Sequence, residues 1–237
     1  MAAFDIARDT FDRISFDLIY ARQGQTLAAW ETELRQALSL AIDHLSLYQL
    51  TIEDGTAFGD RYAAGKLRGL PDDDVAADMY NLTQNICEEA GFGGYEVSNH
   101  ARLDAESIHN QIYWQYGDYA GIGPGAHGRM TLGGQRYATE APLGPADWLT
   151  RVRKLGTGEA QRTALSSGDQ LSEFLLMGMR LHAGVSMSRL EAYDHILYNK
   201  INYLVDIEMV EMAGDQLRLT QQGRPVLNAV LRKLLDD

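Results

Sequence analysis

A chain of 237 residues, 45% hydrophobic and 23% charged, has the composition of a globular protein with room for one large or two small cores. Its formal net charge of -12 argues against a broad nucleic-acid or anionic-membrane surface, and no apolar run approaches the ~20 residues of a membrane span. The single cysteine, Cys87, can neither form an internal disulfide nor hold an iron–sulfur cluster alone. With no signal-peptide pattern at Met1, the expected setting is cytoplasmic.

Residues 3–12 read as the end of a helix, with Phe4, Ala7 and Phe11 spaced by three and four. The run 13–20 is strand-like and carries Asp17, whose plainer reading is a carboxylate turned to solvent. Thr26 can cap a helix over 27–40, with Trp30, Leu34, Ala37 and Leu38 on one face. A second strand is expected over 44–52, apolar enough to be buried on both faces. The acidic triplet from Asp72 to Asp74 suits a helix N-terminus, and that helix stops at Gly91. A third strand is expected over 95–99, so the first 106 residues read as a parallel α/β arrangement.

Residues 107–128 stand apart from the rest. His109 and His127 bracket Tyr113, Trp114, Tyr116 and Tyr119, and Gly117, Gly121, Gly123, Pro124 and Gly125 interrupt the stretch. These breakers exclude a long core helix, whereas aromatic walls, an imidazole and close backbone suit a flat, metal-bearing ligand. A surface loop histidine is the plainer reading of His109, and a structural turn that of the glycines. Residues 131–158 look turn-rich, with a short helix from Asp147 to about Leu155. Beyond Ser166 three helices are expected: one through Leu181, one from Ser186 to about Asp194, and one over 196–207. A hairpin around Gly214 and a last helix carrying Val226, Leu227, Val230, Leu231 and Leu234 complete a winged-helix-like α+β module. Acidic residues outnumber basic ones there, which speaks against a nucleic-acid partner. The division expected is 1–106, a Gly/aromatic connecting region 107–165, and 166–237.

The segment His-Asn-Gln-Ile-Tyr-Trp (109–114), followed by the glycine run 117–128, resembles HemW, the haem-chaperone branch of the family related to oxygen-independent coproporphyrinogen III oxidase (HemN). Phe-Asp-Leu-Ile-Tyr (16–20), Ser-Leu-Tyr-Gln-Leu-Thr-Ile-Glu (46–53) and Tyr-Glu-Val-Ser-Asn (95–99) fit the same family. The resemblance implies a radical S-adenosylmethionine protein, with a partial β/α barrel carrying a 4Fe-4S cluster and S-adenosyl-L-methionine, then a small C-terminal domain. By resemblance His109 is the ligand to haem iron, with Asn110, Tyr113 and Trp114 beside it, and Asp17, Thr51 and His127 fall at adenosylmethionine contact positions. Two departures stand out. Many relatives read Gly-Leu-Pro-Gly-Gln-Thr where this chain has Ala21-Arg22-Gln23-Gly24-Gln25-Thr26, and the three-cysteine cluster loop is not present.

The expectation is therefore the C-terminal half of a radical SAM barrel plus a winged-helix-like domain, without the cluster-binding half. Its expected role is to bind haem and deliver it to respiratory cytochromes. The chain is not expected to be catalytic alone or to hold adenosylmethionine well, and its opened barrel edge invites self-association. A fragment of a coproporphyrinogen III dehydrogenase of porphyrin biosynthesis is the first alternative, and a winged-helix nucleic-acid-binding protein the second.

Overall fold

A computed structural model describes residues 2–193 and 197–236, which fall into two compact units, Met1–Ser107 and Ile108–Asp237. The first unit runs α1 (Ala2–Thr10), β1 (Ser15–Tyr20), α2 (Leu27–Leu40), β2 (His44–Gln49), α3 (Ala57–Ala63), α4 (Asp73–Glu89), β3 (Gly93–Gly94) and β4 (Asn99–Ala101). Thr26 accepts from the Ala29 amide to cap α2, and Asp72 accepts from the Val75 amide to cap α4, with Asp73 and Asp74 in its first turn. Trp30 and Leu34 of α2 meet Met79, Ile86 and Cys87 of α4 over Tyr20, Leu45 and Leu47. The Trp30 indole N–H is satisfied inside this core by the Thr83 hydroxyl, 2.8 Å away.

The sheet order is β1-β2-β4-β3, and only β1 and β2 are parallel. The third parallel strand expected over 95–99 is instead a turn leading into β4, which runs antiparallel to β2. The cause is local. The buried Glu96 carboxylate accepts from the Ser98 amide at 2.7 Å and from Asn99 Nδ2 at 2.6 Å, and the Tyr95 amide donates to the Asn99 carbonyl. A side chain that binds its own downstream backbone folds the chain back before a strand can extend.

His100 lies in register with Leu45 and is 0% exposed. Burial, and then the neighbouring His44, hold its imidazole down to about 4. The unfolded chain therefore takes a proton between about pH 6.5 and 4 that the folded unit refuses. Stability is complete above pH 6.5 and falls as pH drops through this window, by about 3 kcal/mol once both states are protonated. Urea midpoints from pH 7.5 to 4 should fall more steeply for the parent than for His100→Leu. Parallel curves would refute this.

The second unit begins with α5 (Ile108–Trp114), followed by β5 (His127–Leu132), β6 (Gln135–Glu140), α6 (Pro145–Leu155) and β7 (Gln161–Ala164). Then come α7 (Ser167–Gly178), β8 (Val185–Ser186), α8 (Met187–Glu191), α9 (Tyr198–Asp206), β9 (Val210–Ala213), β10 (Gln216–Leu219) and α10 (Leu227–Leu235). The expected turn-rich stretch 131–158 holds much of an antiparallel sheet, β5-β6-β7. Its Gly133-Gly134 pair, both at positive φ, is the turn of a hairpin. Ser166 and Asp169 form a capping box at the start of α7. The hairpin expected around Gly214 is β9-β10, and β8 adds to it in the order β8-β10-β9. Buried Phe174, Leu175, Leu190, Ile201, Leu204, Leu217, Val230 and Leu234 furnish apolar cores for these helices and strands. The expected end of the Ser186 helix at Asp194, His195, and the start of the next helix at Ile196 lie outside the described residues.

Candidate functional site: the His109 helix and its support

His109 sits on a helix rather than in a loop. Seven residues from Ile108 to Trp114 complete two turns before Gly117, whose amide donates to the Ile112 carbonyl. Helical spacing puts Ile108, Ile112, His109 and Tyr113 on one broad stripe and Asn110 with Trp114 on another. Exposure separates Ile108, His109 and Ile112 from the rest, since Tyr113, packed on Trp114 and Tyr119, is half-buried. Ile108 is 74% and Ile112 44% exposed, His109 is exposed, and Asn110 and Trp114 are half-buried. An imidazole flanked by two solvent-facing isoleucines is a surface on which a flat apolar ligand can lie while an axial nitrogen reaches its metal.

The other rings hold the helix in place. Tyr113 meets Trp114 edge-on with centroids 4.9 Å apart and Tyr119 at 5.0 Å. The Arg180 guanidinium lies 4.5 Å from the Trp114 ring centre. Tyr116, buried and in the left-handed region at φ 59°, donates its hydroxyl to Glu173 at 2.9 Å, and Arg136 stacks on its ring at 3.8 Å. Burial first, and then the Glu173 hydrogen bond, push the Tyr116 phenol well above its ordinary range. Glu173 also receives Arg129 in a two-pronged pair, the shortest contact 2.7 Å, and Arg136 pairs with Asp118 at 2.6 Å. The 108–119 segment is thereby fastened to β5, β6 and α7.

The glycine run serves the protein's own backbone. A Cβ on Gly121 would lie 2.5 Å from the His127 carbonyl oxygen, and one on Gly128 would lie 2.8 Å from the Gly121 amide nitrogen. The segment before β5 runs so close to its start that only glycine fits at 121 and 128, tied by the Tyr119–Arg129 bridge with hydrogen bonds of 2.8 and 2.9 Å. The close backbone approach expected toward a ligand is thus backbone on backbone.

The remaining sequence-derived residues are all exposed. Asp17 lies mid-strand on β1, Thr51 follows β2, and His127 opens β5 opposite Glu140. Asp17 and Thr51 belong to the first unit and His127 to the second. Cys87 does not suit a cluster ligand, since it is fully buried and burial pushes its thiol up to about 12. Among the described residues no three His, Cys, Asp or Glu side chains group as a metal site.

Residues 165–226 match the HemN C-terminal domain. The mitochondrial radical S-adenosyl methionine domain-containing protein 1 of Danio rerio is 40% identical over 235 residues, covering 94% of this chain and 53% of that protein. Heme chaperone HemW of Bacillus subtilis is 32% identical over 241 residues, covering 99% of this chain and 62% of its own length. These matches all fit a HemW-like radical SAM family member. The chain spans between 53% and 62% of the length of these relatives. A solved structure of HemN from Escherichia coli, described as a radical SAM enzyme, superposes with a TM-score of 0.73 over 99% of this chain and 58% of that one. At 18% identity that likeness shows a shared mixed α/β fold.

In this HemW-like chain, sequence reading missed the exposed Ile108 and Ile112 beside His109, and the Glu173 anchor. The isoleucines were legible in principle, because placing 108–114 on a helical wheel sets them next to His109. Glu173 was not, because its partners lie 44 and 57 residues away.

Proposed function

We propose that this chain is the C-terminal part of a HemW-type haem chaperone, with His109 supplying the axial nitrogen to haem iron. The observation that carries this reading is the exposed trio of Ile108, His109 and Ile112, with half-buried Tyr113 at its edge, within the His-Asn-x-x-Tyr-Trp segment. Tyr113 would edge the porphyrin, while Asn110 and Trp114, on the more buried stripe, would hold the helix. Support comes also from the relatives named as heme chaperones over nearly the whole of this chain. In this reading residues 1–106 are part of a β/α barrel with Asp17 and Thr51 at adenosylmethionine positions, and His127, in the 107–165 connecting region, is a further position assigned by resemblance alone. Residues 166–237 form a winged-helix-like module, and the recipients are respiratory cytochromes in the cytoplasmic setting expected above. No helix among the described residues is long and apolar enough to cross a membrane. The cluster and its chemistry are not assigned to this chain, because buried Cys87 does not fit them.

The test is a haem titration followed in the Soret band, with saturation at one haem per chain expected. Absence of saturable binding refutes the reading. Coproporphyrinogen turnover by a full-length relative would favour the dehydrogenase alternative instead.

Self-association belongs to the same reading. β1 pairs only with β2, so its other edge is unpaired within the described sheet, with Ser15, Asp17 and Ile19 exposed. Beside it lies an apolar groove of about 330 Å³ lined by Phe4, Phe16, Leu18, Ala37 and Leu40. An open strand edge next to apolar surface pairs readily with another chain. Sedimentation at roughly tens of micromolar, where such edges associate, should show dimers or larger species that Leu18→Lys reduces. A clean parent monomer would count against it.

A further inference from the structure

The first unit carries a hydrogen-bonded chain that the haem reading does not use. His44 is 7% exposed, and both its ring nitrogens are engaged by hydroxyls: Nδ1 lies 2.7 Å from Ser15 Oγ and Nε2 lies 2.9 Å from the Tyr95 hydroxyl. Ser15 and His44 face each other across the parallel β1–β2 pair, and two residues further along β1 Asp17 faces Ser46, which faces Asn99. Phe16 and Leu18 turn to the opposite, helix-covered face, so Ser15, Asp17, His44 and Ser46 share one polar face of the sheet. The chain runs from buried Tyr95, through buried His44, to exposed Ser15, two residues from exposed Asp17.

Proton counting fixes what this chain presents to its surroundings. Burial lowers the basicity of His44 against the opposing influence of Asp43, Asp17 and Glu96, with Arg13 lowering it further. A neutral imidazole has one N–H and one bare nitrogen, so one hydroxyl donates to the ring and the other accepts from it. A phenol is the more acidic hydroxyl and the better donor. Tyr95 therefore donates to Nε2, the ring hydrogen sits on Nδ1 and points at Ser15 Oγ, and the Ser15 hydrogen is left to point outward. We propose that His44 is a positioning residue that makes the exposed Ser15 hydroxyl a hydrogen-bond donor, beside Asp17 as acceptor, for a hydroxyl-bearing ligand on this face of the first unit. A carboxylate is excluded as the group recognised here, since it would meet the Asp17 charge, whereas a hydroxyl accepts from Ser15 and donates to Asp17. The identity of the ligand rests on the adenosylmethionine reading of Asp17. The donor role of Ser15 does not.

The experiment therefore has two arms on the full chain. Long-range proton–nitrogen spectra of the histidine side chains, without ligand, should show His44 with its hydrogen on Nδ1. Tyr95→Phe, which keeps the ring and removes the donor, should move that hydrogen to Nε2. A parent with hydrogen on Nε2, or a tautomer indifferent to Tyr95→Phe, overturns the proposal. In the second arm adenosylmethionine is titrated to millimolar concentration, and Ser15→Ala and Tyr95→Phe should each weaken binding about 5-fold, the worth of one net hydrogen bond. If Asp17→Asn weakens binding and neither of those variants does, the proposal falls while the Asp17 reading stands. If parent binding is undetectable or Asp17→Asn has no effect, the adenosylmethionine reading falls, and the tautomer arm decides the role of His44 alone.

Discussion

On the proposed haem reading, replacing His109 by alanine should remove haem binding while leaving the fold unchanged. The iron–imidazole bond is directional, and no contact from Ile108, Ile112 or Tyr113 can replace it. Loss of a mere outer-shell partner of a metal ligand costs ~10–100-fold in affinity, so loss of the ligand itself should cost at least about 100-fold. The fold should be indifferent, since an exposed side chain outside the packed core is worth within about 0.5 kcal/mol. Ile112→Ser, which removes apolar surface from the same stripe, should weaken binding by about 1 kcal/mol, several-fold rather than a hundredfold. His127→Ala is the control, because His127 lies on β5 and not on α5, and it should leave haem affinity largely unchanged. Soret titrations of the four proteins, with circular dichroism as the check on folding, decide the matter. Equal affinity in the parent and His109→Ala would return His109 to an ordinary surface histidine.

A large stability effect should come from Gly184→Ala. Gly184 has φ 75°, and a Cβ there would sit 2.1 Å from the Leu217 carbonyl oxygen and 2.7 Å from Arg218 Cβ. The left-handed backbone alone costs a side-chain-bearing residue about 1–2 kcal/mol. The clash is with backbone, and that backbone is pinned by the pairing of Val185 with Leu217 between β8 and β10. Relief requires parting the strands over buried Leu217, for a total on the order of 4 kcal/mol. Gly214 isolates the conformational part, because its φ is 63° and a methyl group there would meet nothing within 4 Å, so Gly214→Ala should cost only about 1 kcal/mol. Urea unfolding monitored by circular dichroism measures both. An alanine at 184 no worse than one at 214 would show that β8 can move away.

Elements governed by short-range chemistry were legible in the chain itself. α2, α4 and α7 begin at Thr26, Asp72 and Ser166 because each cap binds an amide three residues on, and their apolar spacing names the buried faces. β1 and β2 follow from runs of apolar and aromatic residues, and the His-Asn-x-x-Tyr-Trp segment by itself points to the haem-chaperone branch. What only the tertiary structure decided lies where distant residues compete with local pattern. Glu96 turns 95–99 back, so a run that reads as a parallel strand yields an antiparallel one. The glycines of 117–128 read as room for a ligand, yet Gly121 and Gly128 are filled by each other's strands, which no count of glycines reveals. Arg129, Tyr116 and Glu173 meet across separations of 44 and 57 residues, and the pairing of His44 with Ser15 depends on the register of two strands 29 residues apart. Periodicity reports which face of an element is apolar, but a hydrogen bond between elements requires the register, and register is fixed only when the elements pack.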